Sequence, residues 1–406
     1  MSITFKQYHP VKTGLAVLFM LLFLACIGLL AWASYKGATV HGPIHIAANA
    51  ARVCVTLNDE ILVLDTHGAL QERHTLDALG VSGYPIDLRL QDDGTLLIAT
   101  QRPAGLFMCA SPYWQCQVVE SPLFEQLRTQ IKVLRDPGGE DLFVSDTAGG
   151  RLHRLSADGQ NVRGLTAVGQ FRRVNDIALD QKRRLWVADS GNRRIAILQP
   201  DANGDWAMTG ELSARTELAR PGLDWPMMIA LSPDGNAWVV QPDALGESAD
   251  LLIYDAQQGV KARINLLDDA HPTDVAHSGN SMLVTDRDAF RIQRVDIDTH
   301  AVKPFGDQGV QVILDAAAGE NARADRMMDL TLAGMVLFGV LMIAMALWAT
   351  PKGRLFTQQR GVPKLEARPA SGPRSGGLHW LVRDAKTDKF LCMAQRTLLL
   401  ATVGMA

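Results

Sequence analysis

A chain of 406 residues with 47% hydrophobic and 20% charged residues has the composition of a globular or membrane-linked protein and not of a disordered one. Its formal net charge of −3 gives no ground to expect nucleic acid as a partner. Five cysteines are too few to build a fold on disulfides, so packing has to hold the core.

In chain order, a short N-terminus (1–13) with Lys6 and Lys12 leads into the uncharged run 14–34, "GLAVLFMLLFLACIGLLAWAS". About 20 apolar residues form a helix long enough for a hydrocarbon layer of ~30 Å. Its small residues leave a cleaved signal peptide as the alternative to an anchor, although the run exceeds the ~7–15-residue apolar core of such peptides. A second uncharged run, 330–349, "LTLAGMVLFGVLMIAMALWA", is followed by Lys352, Arg354, Arg360, Lys364, Arg368 and Arg374 in a basic, Gly/Pro-rich tail over 351–406. Basic residues in short flanks stay on the cytoplasmic side. Both termini are therefore expected in the cytoplasm and the middle of the chain outside it. That reading makes a cell-membrane protein, with a periplasmic domain on the inner membrane if the source is bacterial. The segment 390–406 reads as an amphipathic helix lying on the membrane or a partner, or as a third span.

Between the spans the sequence repeats itself. Stretches beginning at His45, Asp87, Lys132, Asp176, Met228 and Asp274 each read strand, polar turn, strand, turn, strand, with 42 to 52 residues from one to the next. An all-β unit of ~40–50 residues repeated in this way predicts a six-bladed β-propeller over 42–315. Leu97, Phe143, Trp186, Trp238 and Leu283 fall at equivalent places in the second strands, where large apolar side chains fill the space between sheets. "GPIHIAA" and "GVQVIL" are candidate edge strands for closing the ring. Asp146 with Arg151, Asp189 with Arg194, and Asp286 with Arg291 recur at one spacing beside a turn, as a hairpin clamp would. "LFMCASPYWQCQVV" reads as strand, turn, strand, so Cys109 and Cys116 are either a cross-strand disulfide or two small core residues.

The stretch "DIALDQKRRLWVADSGNRRIAIL", residues 176 to 198, resembles the NHL repeat, whose run is an apolar strand, an Asp-containing turn, a strand ending in "VAD", then "SGNNRI" and a third strand. The resemblance implies a six-bladed scaffold and covers the outer segment alone; scaffolds of this kind serve binding modules and enzymes alike. "VNDIALDQKRRLWVAD" is also similar to the calcium-dependent lactonase and gluconolactonase propellers. That likeness implies a metal that polarises a substrate carbonyl, with Asn175 at the asparagine position. The match is incomplete, since Met227 and Met228 stand where another polar ligand is expected and His45 stands in place of a Glu.

Two sites compete. At the starts of the inner strands, His45, Asp87, Asp176 and Asp274 are candidate ligands for a divalent cation such as Ca2+. The alternative is a structural network in which Lys132 neutralises neighbouring carboxylates. At the mouth beside blade four, Arg172, Arg173 and Arg193 form a basic patch with Asn175 beside it, and long connections at 212–226 and 241–251 bring Trp225 and Asp243. Long loops on a rigid scaffold are common recognition elements. No Ser-His-Asp motif, nucleophile elbow, phosphate loop or CxxC pair occurs. The function expected is therefore a membrane-anchored binding module, such as a subunit of an envelope complex, that takes a protein partner or an anionic ligand. The alternative is a metal-dependent hydrolase of lactone-like esters.

Overall fold

The computed structural model describes residues 10–111, 114–127, 130–136, 141–165, 171–202, 204–246, 248–267, 270–349, 379–383 and 390–394. Six four-stranded antiparallel sheets follow one another in sequence, with strands in consecutive order within each. They are the blades of a propeller: blade one spans 46–75, two 84–118, three 131–164, four 174–213, five 228–264 and six 272–304. The inner strands, Ile46–Ala48, Tyr84–Leu90, Ile131–Arg135, Val174–Leu179, Met228–Leu231 and Pro272–Ser278, neighbour one another around the ring.

Alternation of apolar and polar residues gives strands, but here both faces of the second strands are buried, because a blade packs on a neighbour at either side. Leu185–Asp189 is buried at every position, and Ala237–Pro242 likewise. Leu97, Phe143, Trp186, Trp238 and Leu283 are all fully buried. Outer strands meet solvent and show it: Leu70–Thr75 alternates half-buried with exposed. A short helix, α2 (Pro122–Gln126), plugs the gap between blades two and three with Leu123 and Phe124, its first turn capped by the Ser121 hydroxyl accepting from the Leu123 N–H.

Of the two candidate closing edges, "GPIHIAA" supplies a strand, Ile46–Ala48, and "GVQVIL" does not. All four strands of blade one come from one continuous stretch, and "GVQVIL" is the first part of a helix. Side-by-side bonds join blades six and one: Gly42 N–H donates to the Arg287 carbonyl at 3.1 Å, and the Thr285 hydroxyl to the Ile44 carbonyl at 2.8 Å. Val310, Leu314 and Ala317 of that helix then cover the seam, packed with Leu62, Leu64, Ile292 and Phe305. The amphipathic period of these residues, three to four apart, is why they form a helix here.

Two helices long and apolar enough to cross a membrane flank the propeller: α1, Pro10–Thr39, and α3, Gln308–Ala349. Leu21, Leu22 and Leu24 of α1 and Val336, Leu337 and Val340 of α3 stand exposed, apolar surface of the kind that hydrocarbon covers. The chain divides into two compact units, Leu24–Thr331 and Met1–Phe23 with Leu332–Ala406. In the larger, Lys36 Nζ lies 2.7 Å from Glu320 Oε1, joining the last turns of α1 to the first half of α3. In the smaller, Phe338 meets Phe19 and Phe23 with ring centroids 5.5 and 5.6 Å apart. Phe390–Ala394, where a helix was expected to begin, is a strand paired with His379–Arg383, and residues 395–406 lie outside those described.

Candidate functional site

The inner strands of blades two, four and six share one irregularity. Their pairing slips between Pro85 and Asp87, between Val174 and Asp176, and between Pro272 and Asp274. Such a bulge leaves one residue unpaired and re-aims the next side chain. The residue re-aimed is in each case the aspartate.

Each aspartate then reaches the inner strand of the following blade. Asp87 Oδ2 accepts from Val133 N–H at 3.0 Å, Asp176 Oδ2 from Ile229 N–H at 2.8 Å, and Asp274 Oδ2 from Ile46 N–H at 3.1 Å. The ring is thus stapled as three pairs of blades. The residues just before those amides are Lys132, Met228 and His45. Lys132 Nζ lies 3.3 Å from Asp87 and donates to the Ile86 carbonyl at 2.7 Å, and His45 Nδ1 lies 3.5 Å from Asp274. Met228 brings no cation to Asp176.

Arg89 supplies it. Two residues after Asp87 on a strand, it shares that residue's face, and its guanidinium bonds Asp87 at 3.2 Å through Nε and Asp176 across the channel through Nη2. Burial works against the charge of Asp87, yet Arg89 and Lys132 hold it below the usual carboxylate range. Burial pushes Asp176 up to about 6 against the pull of Arg89. Burial lowers His45 below the usual imidazole range, leaving the ring neutral. The three aspartates expected as metal ligands therefore have their oxygens engaged by backbone amides and, for Asp87 and Asp176, by protein-borne cations, while His45 approaches only Asp274. Among the described residues no three His, Cys, Asp or Glu side chains gather as a metal-holding group.

The second site is open. Arg172 and Arg173 lead into the inner strand of blade four, and Arg193 closes its turn between second and third strands. Gly191 sits against the backbone of Arg172; a Cβ there would lie 2.6 Å from the Arg172 carbonyl oxygen, so glycine lets these segments touch. A depression of about 790 Å³ results, lined by Arg172, Arg173, Arg193, Ser213, Arg215 and Trp225, among others. The Arg173 guanidinium lies 5.4 Å from the centre of the Trp225 ring, an ordering contact that leaves its hydrogen-bonding edge free of carboxylates. Asp224 answers two of the arginines, at 3.4 Å from Arg193 and 3.0 Å from Arg215. Neither Arg172 nor Arg173 has a carboxylate partner among the described residues.

Arg172, Arg173, Arg193 and Trp225 are thus brought together, while two expected companions have other work. Asn175 donates to the Ser190 hydroxyl at 2.7 Å, which donates to the Pro226 carbonyl and so links blades four and five. Asp243 accepts from Leu245 N–H at 2.9 Å and shapes its own turn. Arg215 was missed, hidden in an irregular loop without period. The hairpin clamp holds at Asp189–Arg194 (2.8 Å) and Asp286–Arg291 (3.1 Å). In blade three Asp146 accepts from Gly149 N–H while Arg151, its register partner, is exposed. Cys109 and Cys116, directly opposite on adjacent strands of blade two, form a disulfide.

No family model matches the chain. It is 26% identical over 271 residues to NHL repeat-containing protein 3 of Mus musculus, a match covering 55% of this chain and 76% of that protein. Among solved structures, virginiamycin B lyase from Staphylococcus aureus aligns at 17% identity over 66% of this chain and 85% of that one, with a TM-score of 0.43. A nidogen/laminin complex chain aligns at 14% identity over 66% and 94%, with a TM-score of 0.47. A candidate gluconolactonase aligns at 15% identity over 66% and 90%, with a TM-score of 0.48.

Proposed function

We propose that this chain is a membrane-anchored binding module whose NHL-type propeller stands outside the cytoplasm and takes an anionic ligand or protein partner at the blade-four and blade-five mouth. One observation carries the reading: the exposed Arg172 and Arg173 face the depression without carboxylate partners among the described residues. Charges left unpaired at a surface raise the local concentration of opposite charge and steer association. The channel lends itself less to a ligand, because Arg89, Lys132, Asp87 and Asp176 satisfy one another there and backbone amides hold Asp274.

The flanking basic residues and the Cys109–Cys116 disulfide support the outward placement, since disulfides persist in oxidising compartments. The test places a photo-crosslinking residue at Leu245, which is 80% exposed beside the mouth, in the full-length chain in its native membrane. A discrete adduct that disappears in Arg172→Gln/Arg173→Gln is the expected result. Absence of any adduct, or one indifferent to the double substitution, removes the binding reading. Accessibility of an introduced surface cysteine in the propeller to a membrane-impermeant reagent checks the orientation separately.

A further inference from the structure

The arginine mouth and the helices share one side of the ring. In blade six the turn between second and third strands, Arg287 to Phe290, is the counterpart of Ser190 to Arg193 in blade four. Their last residues even share a left-handed backbone, φ 50° at Phe290 and 54° at Arg193. The chain leaving α1 meets the ring at that blade-six turn: Gly42 bonds Arg287, and Gly37, Val40, His41, Arg287, Phe290 and Asn321 of α3 surround a hollow of about 380 Å³. The side of the propeller from which both helices depart is therefore the side that carries Arg172, Arg173, Arg193 and Arg215.

That side also exposes apolar side chains that no core explains. Leu245 in the blade-five turn is 80% exposed, Leu218 in the loop at 214–226 is 43% exposed, and Tyr84 at the start of the blade-two inner strand is 42% exposed. Cationic side chains interspersed with exposed leucine and an aromatic are the pattern of a surface that rests on an anionic lipid interface. An arginine fork matches a phosphate bidentately.

We propose that the depression of blades four and five holds the phosphate of an anionic phospholipid headgroup, with Leu218 and Leu245 entering the interface beside it. This rests on the membrane anchoring stated under Proposed function. Arg172 and Arg173 supply the free forks, Trp225 orders Arg173, and Asp224 keeps Arg193 and Arg215 extended along the rim. Anionic lipid attracts a basic cluster close to it, and salt screens that attraction over about 10 Å at 0.1 M.

The full-length chain in nanodiscs of phosphatidylcholine alone, or with a third phosphatidylglycerol, is compared by hydrogen exchange at residues 190–193 and 213–226. Expected is exchange at least about fivefold slower in the anionic discs, reversed by 0.5 M salt and absent in Arg172→Gln/Arg173→Gln. Equal exchange in both discs overturns the proposal while leaving the anchoring intact. Equal protection from millimolar inorganic phosphate in neutral discs also overturns it, in favour of a soluble phosphate. A chain that fails to enter discs of either kind overturns the anchoring first, and the proposal falls with it. The lipid comparison on the unsubstituted chain keeps the test decisive should the variant misfold.

Discussion

The channel and the mouth are built from the same kinds of residue and end in opposite states. Five charged side chains in the channel, Asp87, Arg89, Lys132, Asp176 and Asp274, are buried or nearly so and bonded to one another or to backbone. At the mouth four arginines line an open depression, and Asp224 pairs with two of them. What separates the two is how many partners the fold provides: bulged inner strands aim carboxylates at amides in the channel, and irregular loops at the mouth aim guanidiniums at solvent. Charges that answer each other inside a ring hold the ring; charges left unanswered at its edge are available to something else.

The strongest test of that contrast removes the cation that crosses the channel. Arg89→Met leaves Asp176 with two amides and no directly bonded cation, and breaking a buried pair from one side costs about 3–5 kcal/mol. Chemical unfolding of the full-length chain should show a loss in that range, partly restored by adding Asp176→Asn. A loss below about 1 kcal/mol would mean that the channel does not depend on this network.

The mouth has no comparable stake in the fold, whereas blade two has one that also reports on compartment. Cys109→Ser/Cys116→Ser opens a cross-link between neighbouring strands, and the loop it closes is short, so a loss of about 2 kcal/mol is expected in the oxidised protein. In cells the pair should resist alkylation until reduced. Free thiols at both positions in freshly lysed cells would contradict an outward-facing propeller.

Much of this was readable in advance. Period and apolar spacing placed all six blades and the residues between them, because burial on both faces forces large side chains at Trp186 and Trp238 regardless of detail. The two long apolar helices followed from length and absence of charge. Less legible was the channel. The aspartates were visible as a set, but bulges before them leave no compositional mark in Pro85-Ile86-Asp87 or Val174-Asn175-Asp176, so whether they faced a metal or an amide was open. Arg89 was within reach, since alternation alone puts it on the face of Asp87. Closure was open too: Val310 and Val312 suit a strand, and the choice of helix follows from Val310 and Leu314 finding blade one to pack against.

Titration distinguishes the three staples. Asp176, raised to about 6 by burial from an ordinary 3.8, binds its proton more tightly folded than unfolded. Its contribution to stability is full below about 4 and is lost as pH rises through 6. Asp87 and His45 are lowered and act in the opposite sense as pH falls, so the whole protein need not show the Asp176 slope. The difference between wild type and Asp176→Asn isolates it. Relative to wild type, the variant's melting temperature should improve between pH 4 and pH 7, and a constant difference over that range would count against a buried, protonatable Asp176. A chelator should leave the melting temperature unchanged in the same buffers. A drop of several degrees, with a stoichiometric metal found before chelation, would restore the hydrolase alternative.

The smallest expected effect on the fold is at the mouth, and its smallness is what makes it informative. Arg172 and Arg173 are exposed and without carboxylate partners, so replacing both with glutamine removes repulsion as well as packing. Surface changes away from buried networks stay within about ±0.5 kcal/mol. The double variant should therefore unfold with the wild-type midpoint, or slightly above it, while losing the adduct at Leu245. If instead it unfolds early, the arginines belong with Arg89 as parts of the scaffold. In that case the contrast between a self-satisfied channel and an open mouth fails at the mouth.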